Sequence, residues 1–246
     1  MADAQTMQAY ADNIAAYKTL VDGMPSNPHL ERFINYLPAG AAVLDFGCGV
    51  GNSAALMRDA GFAMTCMDAS SDMISAAKEL YDLEVLQRNF TDLEDIASFD
   101  GIWASYSLLH APKNDMPDIL QRIHAALRAS GMVYVGLKRG DAEERDDIGR
   151  FYAYYTETAL QTLLQDAGFD ILDSRTDESR GMLGRMDKGL HIMARKRTGG
   201  RSIHGLFLAL LEARVINLTF KIGINRAQQV TRTWQVIPIT VAFWRP

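Results

Sequence analysis

Between residues 40 and 196 the chain switches repeatedly between two hydrophobic rhythms. Short apolar runs alternate with stretches in which apolar residues recur every three or four positions. The runs at 41–46, 63–68, 84–87, 99–105, 131–138, 170–175 and 189–195 predict seven strands, and the periodic stretches at 53–60, 71–81, 116–129 and 156–167 predict the helices between them. Three of these helices run into a glycine that suits a helix stop, Gly61, Gly131 and Gly168. Ser70 and Thr156 are the N-cap candidates. Alternating strands and helices imply a mostly parallel sheet with helices on both faces. Ahead of it, 7–21 and 28–37 read as two amphipathic helices. Residues 1–40 are therefore assigned as a helical lid and 41–197 as the main α/β domain.

Charge changes this picture at one place. Residues 201–246 carry six of the 25 basic residues and one of the 30 acidic ones, so a net charge of −5 hides a strongly acidic body and a basic end. The shift falls at Gly199-Gly200 and sets off 198–246 as a basic, apolar extension. Packing on the domain or forming a homo-oligomer or partner contact are the roles expected of it. The acidic body argues against nucleic acid as a partner. No apolar run reaches the length of a membrane span, and the first residues have no signal-peptide pattern, so a cytoplasmic setting is expected. Cys48 and Cys66 have no metal-ligand spacing, and no other metal motif is present.

The candidate chemistry begins at Leu44-Asp45-Phe46-Gly47-Cys48-Gly49-Val50-Gly51. An apolar strand ends in an acid, and three glycines at alternate positions lead into a helix at Asn52. Such a turn lets a ligand lie against bare backbone at a helix N-terminus. A dinucleotide site favours G-x-G-x-x-G, whereas here the third glycine comes one residue early. A carboxylate at Asp45 repels a pyrophosphate but suits a ligand bearing an ammonium and a sulfonium. S-adenosylmethionine (SAM) carries both. Asp68 ends the next strand, where it can accept both ribose hydroxyls or simply cap the following helix.

Residues 43–52 resemble the first motif of class I SAM-dependent methyltransferases. The segments Phe99-Asp100-Gly101-Ile102-Trp103-Ala104-Ser105-Tyr106-Ser107-Leu108-Leu109-His110 and Leu127-Arg128-Ala129-Ser130-Gly131-Met132 add to the resemblance, the second with Ala-Ser where the family has Pro-Gly. The resemblance implies a Rossmann-like methyltransferase fold, SAM as cofactor and a small-molecule methyl acceptor. A non-catalytic protein that binds SAM or S-adenosylhomocysteine is the alternative. By position, Gly47, Gly49 and Gly51 would approach the methionine part, Asp45 its amino group and Asp68 the ribose. Ala69 or Met73 would lie beside the adenine. Asn89, with Phe90 next to it, stands where the family has an acid for the adenine amino group, and Asp92 is the rival. Ser105 would lie under the sulfonium, and Tyr17 either covers the site or sits at a helix surface.

His110, on the loop after the fourth strand, is the leading candidate for a general base, because its ordinary pKa lies near neutrality. Lys138 and Arg150 are candidates to bind an anionic acceptor. Tyr152, in the aromatic stretch after the fifth strand, is the second candidate catalytic residue, and either it or His110 would face the departing methyl. His124 and His191 are assigned to core or surface, and His29 and His204 to no role.

Overall fold

The computed structural model describes residues 3–22, 27–181 and 183–198, so the extension assigned to 198–246 lies outside the described residues beyond its first position. One helix was expected over 7–21. Two form instead, α1 (Ala4–Asp12) and α2 (Ile14–Asp22). The break falls at Asn13, whose side-chain amide donates to the Ala9 carbonyl at 2.8 Å, the local competition that makes Asn a poor helix-interior residue. In α3 (Pro28–Asn35) proline opens the first turn and the Asn27 side chain caps it.

The remaining elements follow the alternation. They are β1 (Ala42–Phe46), α4 (Asn52–Asp59), β2 (Ala63–Asp68), α5 (Ser71–Tyr81), β3 (Val85–Gln87), β4 (Phe99–Ser105), α6 (Met116–Ala126), β5 (Leu127–Lys138), β6 (Glu143–Arg145), β7 (Phe151–Ala153), α7 (Glu157–Asp166), β8 (Phe169–Arg180) and β9 (Met186–Lys196). The caps on α5 and α7 are Ser70 and Thr156, as the sequence suggested. The seven-stranded sheet has the order β3-β2-β1-β4-β5-β9-β8. All its neighbours are parallel except β9, which runs antiparallel to both β5 and β8.

The central strands read as continuous apolar runs because both faces of the sheet are covered. Alternate residues serve opposite faces. Leu44, Phe46, Ile102, Ala104, Val133 and Val135 pack with α6 and α7. Val43, Trp103, Met132 and Tyr134 pack with Leu30 and Phe33 of α3 and Met57 of α4. Among the described residues no helix is long and apolar enough to cross a membrane.

Three local expectations are corrected. The helix expected to run to 129 ends at Ala126, because Leu127 enters the sheet opposite Phe99. The segment after β5, where no strand was expected, forms a hairpin, β6 paired with β7. The last two strands extend well past their apolar cores, to Arg180 and from Met186. Backbone pairing continues there without a core face to generate an alternating pattern.

Ser130 sits at φ +61° in the excursion that precedes Gly131. Left-handed backbone is costly for a residue with a Cβ. Ser130→Gly is therefore expected to stabilise the fold by about 1 kcal/mol, after allowing for glycine's freer unfolded chain. A thermal or urea melt checks this, and an unchanged or lowered midpoint contradicts it.

Candidate functional site

The strand order reverses between β1 and β4, and open parallel sheets bind ligands outside the carboxyl ends of strands at such a point. The turn after β1 is fixed there by three hydrogen bonds. The Gly47 and Cys48 N–H groups donate to the Met67 carbonyl at 2.8 and 3.0 Å. The Ser107 hydroxyl donates to the Phe46 carbonyl at 2.6 Å. Gly47 has φ +81°, and a Cβ on it would collide with the Ser107 side chain. Main chain is therefore bare at the mouth of the sheet.

Gly51 departs from its expected role. It lies outside both parts of the cleft, at the N-cap of α4 with φ +86°, and a Cβ on it would run into Leu83. Its lack of a side chain serves the packing of α4 on Leu83.

One part of the cleft holds about 700 Å³ of open space. It brings together Tyr17, Gly47, Gly49, Asp68, Ala69 and Met73. Asn89, Phe90, Ser105 and His110 complete the set of expected residues there. Asp68 Oδ2 accepts from the Gly49 N–H at 2.8 Å and Oδ1 from the Ser70 N–H at 2.9 Å. Burial raises the Asp68 pKa, and those backbone bonds oppose the rise. Of the two readings for adenine recognition, the geometry favours Asn89. Its Oδ1 is buried without a hydrogen-bond partner, whereas Asp92 lies outside the cleft and accepts the Asn89 N–H at 2.8 Å. The half-buried Tyr17 side chain lies against Gly49, its hydroxyl 3.4 Å from the place a Cβ would occupy, with its ring edge-on to Tyr10.

The second part is larger, about 1020 Å³, and shares Tyr10, Tyr17, Gly47, Ser105 and Tyr106 with the first. Asp45 lines it, only 2% exposed. Its Oδ2 has no partner, and burial beside Cys66 and Asp68 pushes its carboxyl well above the usual carboxylate range. Trp103, Lys138, Arg150 and Tyr152 also line this chamber. The two cations are not open anion sites, as the sequence had suggested. Lys138 Nζ lies 2.9 Å from Asp187 Oδ2 and 4.1 Å from the centre of the Tyr152 ring. Arg150 is clasped by Asp146 at 2.7 and 2.8 Å and lies over the rings of Tyr10 and Tyr152. Their charges are balanced, and what they add to the chamber is an aromatic wall held by cation–π contacts.

His110 is in the cleft but is not disposed as a base. Its Nδ1 lies 2.7 Å from the Phe151 carbonyl, which only accepts, so Nδ1 carries the proton. The remaining lone pair, on Nε2, faces the Tyr10 hydroxyl at 2.8 Å. Burial lowers the pKa of the ring to about 4. His110 thus fastens α1 to β7, and Thr6 adds a second tie by accepting the Phe151 N–H at 2.9 Å. Burial raises the Tyr152 hydroxyl above its ordinary range, so Tyr152 is a wall of the chamber rather than a proton acceptor near neutrality.

Several lining residues carry no signal in the local sequence pattern. Thr6, Met7 and Tyr10 arrive from α1. Trp103, whose indole N–H is buried without a partner, lies in the middle of an apolar strand run that reads as ordinary core.

A family model described as a methyltransferase domain matches residues 26–174. Among curated relatives, the chain is 26% identical over 145 residues to an uncharacterized methyltransferase of Staphylococcus carnosus, covering 55% of this chain and 70% of that one. It is 30% identical over 152 residues to the O-methyltransferase resE of Aspergillus sclerotiorum, covering 55% of this chain and 57% of the relative, little more than half its length. Among solved structures, the Burkholderia thailandensis 1,6-didemethyltoxoflavin-N1-methyltransferase, with 1,6-didemethyltoxoflavin and S-adenosylhomocysteine bound, superimposes with a TM-score of 0.66 at 24% identity, covering 79% of this chain and 88% of that one.

Proposed function

Because the chain belongs to the methyltransferase-domain family, for which S-adenosylmethionine is the cofactor, we propose that it methylates a small, planar, uncharged acceptor held in the larger chamber. The observation that carries this reading is Asp45. A buried carboxylate with an unpartnered oxygen is costly unless a cation joins it. It lies at the glycine-turn end of the larger chamber, beside Gly47 and Cys48, so the ammonium of SAM would take that end and the acceptor the rest. The other polar groups fit the same molecule. Asp68 has lone pairs left for two ribose hydroxyls, Asn89 Oδ1 can accept the adenine amino group, and the Gly47 main chain, which lines both parts of the cleft, can face the methionine part.

When bound, SAM supplies a methyl group already activated by a sulfonium. The chain's own residues align and desolvate the partners. Ser105 and Tyr106, at and just after the end of β4, face both parts of the cleft and so define the line between donor and acceptor. Half-buried Tyr106 offers an aromatic surface, the buried Trp103 and Tyr152 back the chamber wall, and the Trp103 N–H offers one donor to an acceptor oxygen. Tyr10, tied to His110, shuts water from this junction. Since the His110 lone pair is engaged, the acceptor must be acidic enough to lose its proton without that base. A phenolic or enolic hydroxyl meets this need, and the relative named an O-methyltransferase is in keeping with it.

The test is a methylation screen with SAM, read by mass spectrometry, over planar phenols and their carboxylated counterparts. We expect the neutral phenol to exceed its carboxylate-bearing analogue by at least about tenfold in kcat/KM, roughly 1.4 kcal/mol. A preferred acceptor that is anionic or macromolecular overturns the reading.

A further inference from the structure

We propose that His29, Asp177 and His191 form a binding site for one first-row divalent transition ion, with zinc the best match, which staples α3 to the β8–β9 hairpin. The site adjoins the cleft through Tyr106, whose ring stands edge-on to His191, but shares no ligand residue with it. The three residues come from three elements and lie far apart in the chain, so no ligand spacing is visible. In the fold, one ligand atom from each falls within 4.8 Å of the others.

Several independent features point to a cation. The His191 side chain is 4% exposed, and its Nε2 is buried with no hydrogen-bond partner. That atom lies 2.9 Å from Asp177 Oδ1 but is not aligned for a hydrogen bond, while His29 Nε2 lies 3.4 Å from the other carboxylate oxygen. Tetrahedral zinc with bonds of about 2.0–2.1 Å puts neighbouring ligand atoms roughly 3.3 Å apart, between these two separations. The opposite ring nitrogen, His191 Nδ1, lies 2.7 Å from the Tyr134 hydroxyl. Such an outer partner orients the ring in metal-bound histidines; with Nδ1–H donating to the Tyr134 hydroxyl, the Nε2 lone pair is the one offered to the ion.

The space is kept open by Gly189. A Cβ there would collide with Asp177 Oδ1 and come within 2.5 Å of His191 Nε2 and 2.6 Å of the Tyr106 hydroxyl. Two imidazoles and one carboxylate select zinc or its transition-metal neighbours over magnesium or calcium, which prefer all-oxygen sites. The Asp177 side chain is 43% exposed and gives the ion a way in. The rings of His29 and His191 are stacked at 3.8 Å. On metal uptake the His29 ring turns out of that stack so that the two lone pairs converge, leaving the fourth position to water.

The experiment uses the full, untagged chain, stripped with chelator and dialysed against zinc or cobalt. Elemental analysis is expected to give one ion per chain, and cobalt to give the visible bands of a four-coordinate nitrogen–oxygen site. Asp177→Asn, which keeps size and shape at a partly exposed position, and His29→Gln should each weaken metal binding at least about tenfold. His124→Gln should leave it unchanged. Zinc should raise the melting temperature of the wild type but not of these two ligand variants. A chain that binds no ion has only an imidazolium–carboxylate contact here, and that result overturns the proposal. Uptake that persists undiminished in both ligand variants does the same.

Discussion

Asp68→Ala is expected to weaken SAM binding by at least about 100-fold in a calorimetric titration. Each hydrogen bond from a ribose hydroxyl to an ionised acceptor contributes about 1.5–3 kcal/mol, and the substitution removes two of them. It also releases the Gly49 and Ser70 N–H groups that Asp68 holds, so part of the loss is a looser turn. Asp68→Asn separates the two contributions. It keeps size and one acceptor oxygen and is expected to fall between wild type and alanine. A melt on each variant shows how much of the effect is fold stability. If Asp68→Ala bound the cofactor within threefold of wild type, the placement of the ribose at the end of β2 would be abandoned.

The second large effect concerns acid. In the folded chain the His110 pKa is lowered to about 4, from an ordinary value near 6.5. Below pH 6.5 the unfolded chain therefore takes a proton that the folded chain refuses. The stability at stake is fully present above pH 6.5 and drains away as the pH falls toward 4. Its size is on the order of 3 kcal/mol by the lower limit. Urea unfolding at a series of pH values should show this slope in the wild type and a shallower one in His110→Gln. The variant starts from lower stability at pH 7, because it gives up the ring's contacts with Tyr10 and Phe151. Equal slopes in the two proteins would remove His110 as the cause. The same geometry implies that kcat/KM has no acid limb from His110 titrating between pH 5 and 7, as a general base of ordinary pKa would give.

Much of the sheet was legible because buried parallel strands write themselves as unbroken apolar runs. The 63–68 and 99–105 strands carry the bounds that their runs implied. The glycine turn was equally clear, since Gly47 needs both a positive φ and an empty Cβ position. Gly51 looked identical in sequence, yet its constraint comes from Leu83 across a helix contact that no local pattern records. His110 illustrates a different limit. Its position after β4 was readable, but its chemistry depends on Tyr10 and Phe151, which lie 100 and 41 residues away. Lys138 and Arg150 were visible as charges while their neutralising partners were not, although Asp146 is only four residues from Arg150. Sequence reports residue types and local spacing. Protonation state and net field depend on tertiary neighbours.

Tyr10 stands in the wall of both parts of the cleft. A guest that shifts this ring from one side reshapes the compartment on the other. The affinities of methyl donor and methyl recipient are thereby thermodynamically linked, and linkage is reciprocal: whatever factor the first imposes on the second, the second returns to the first.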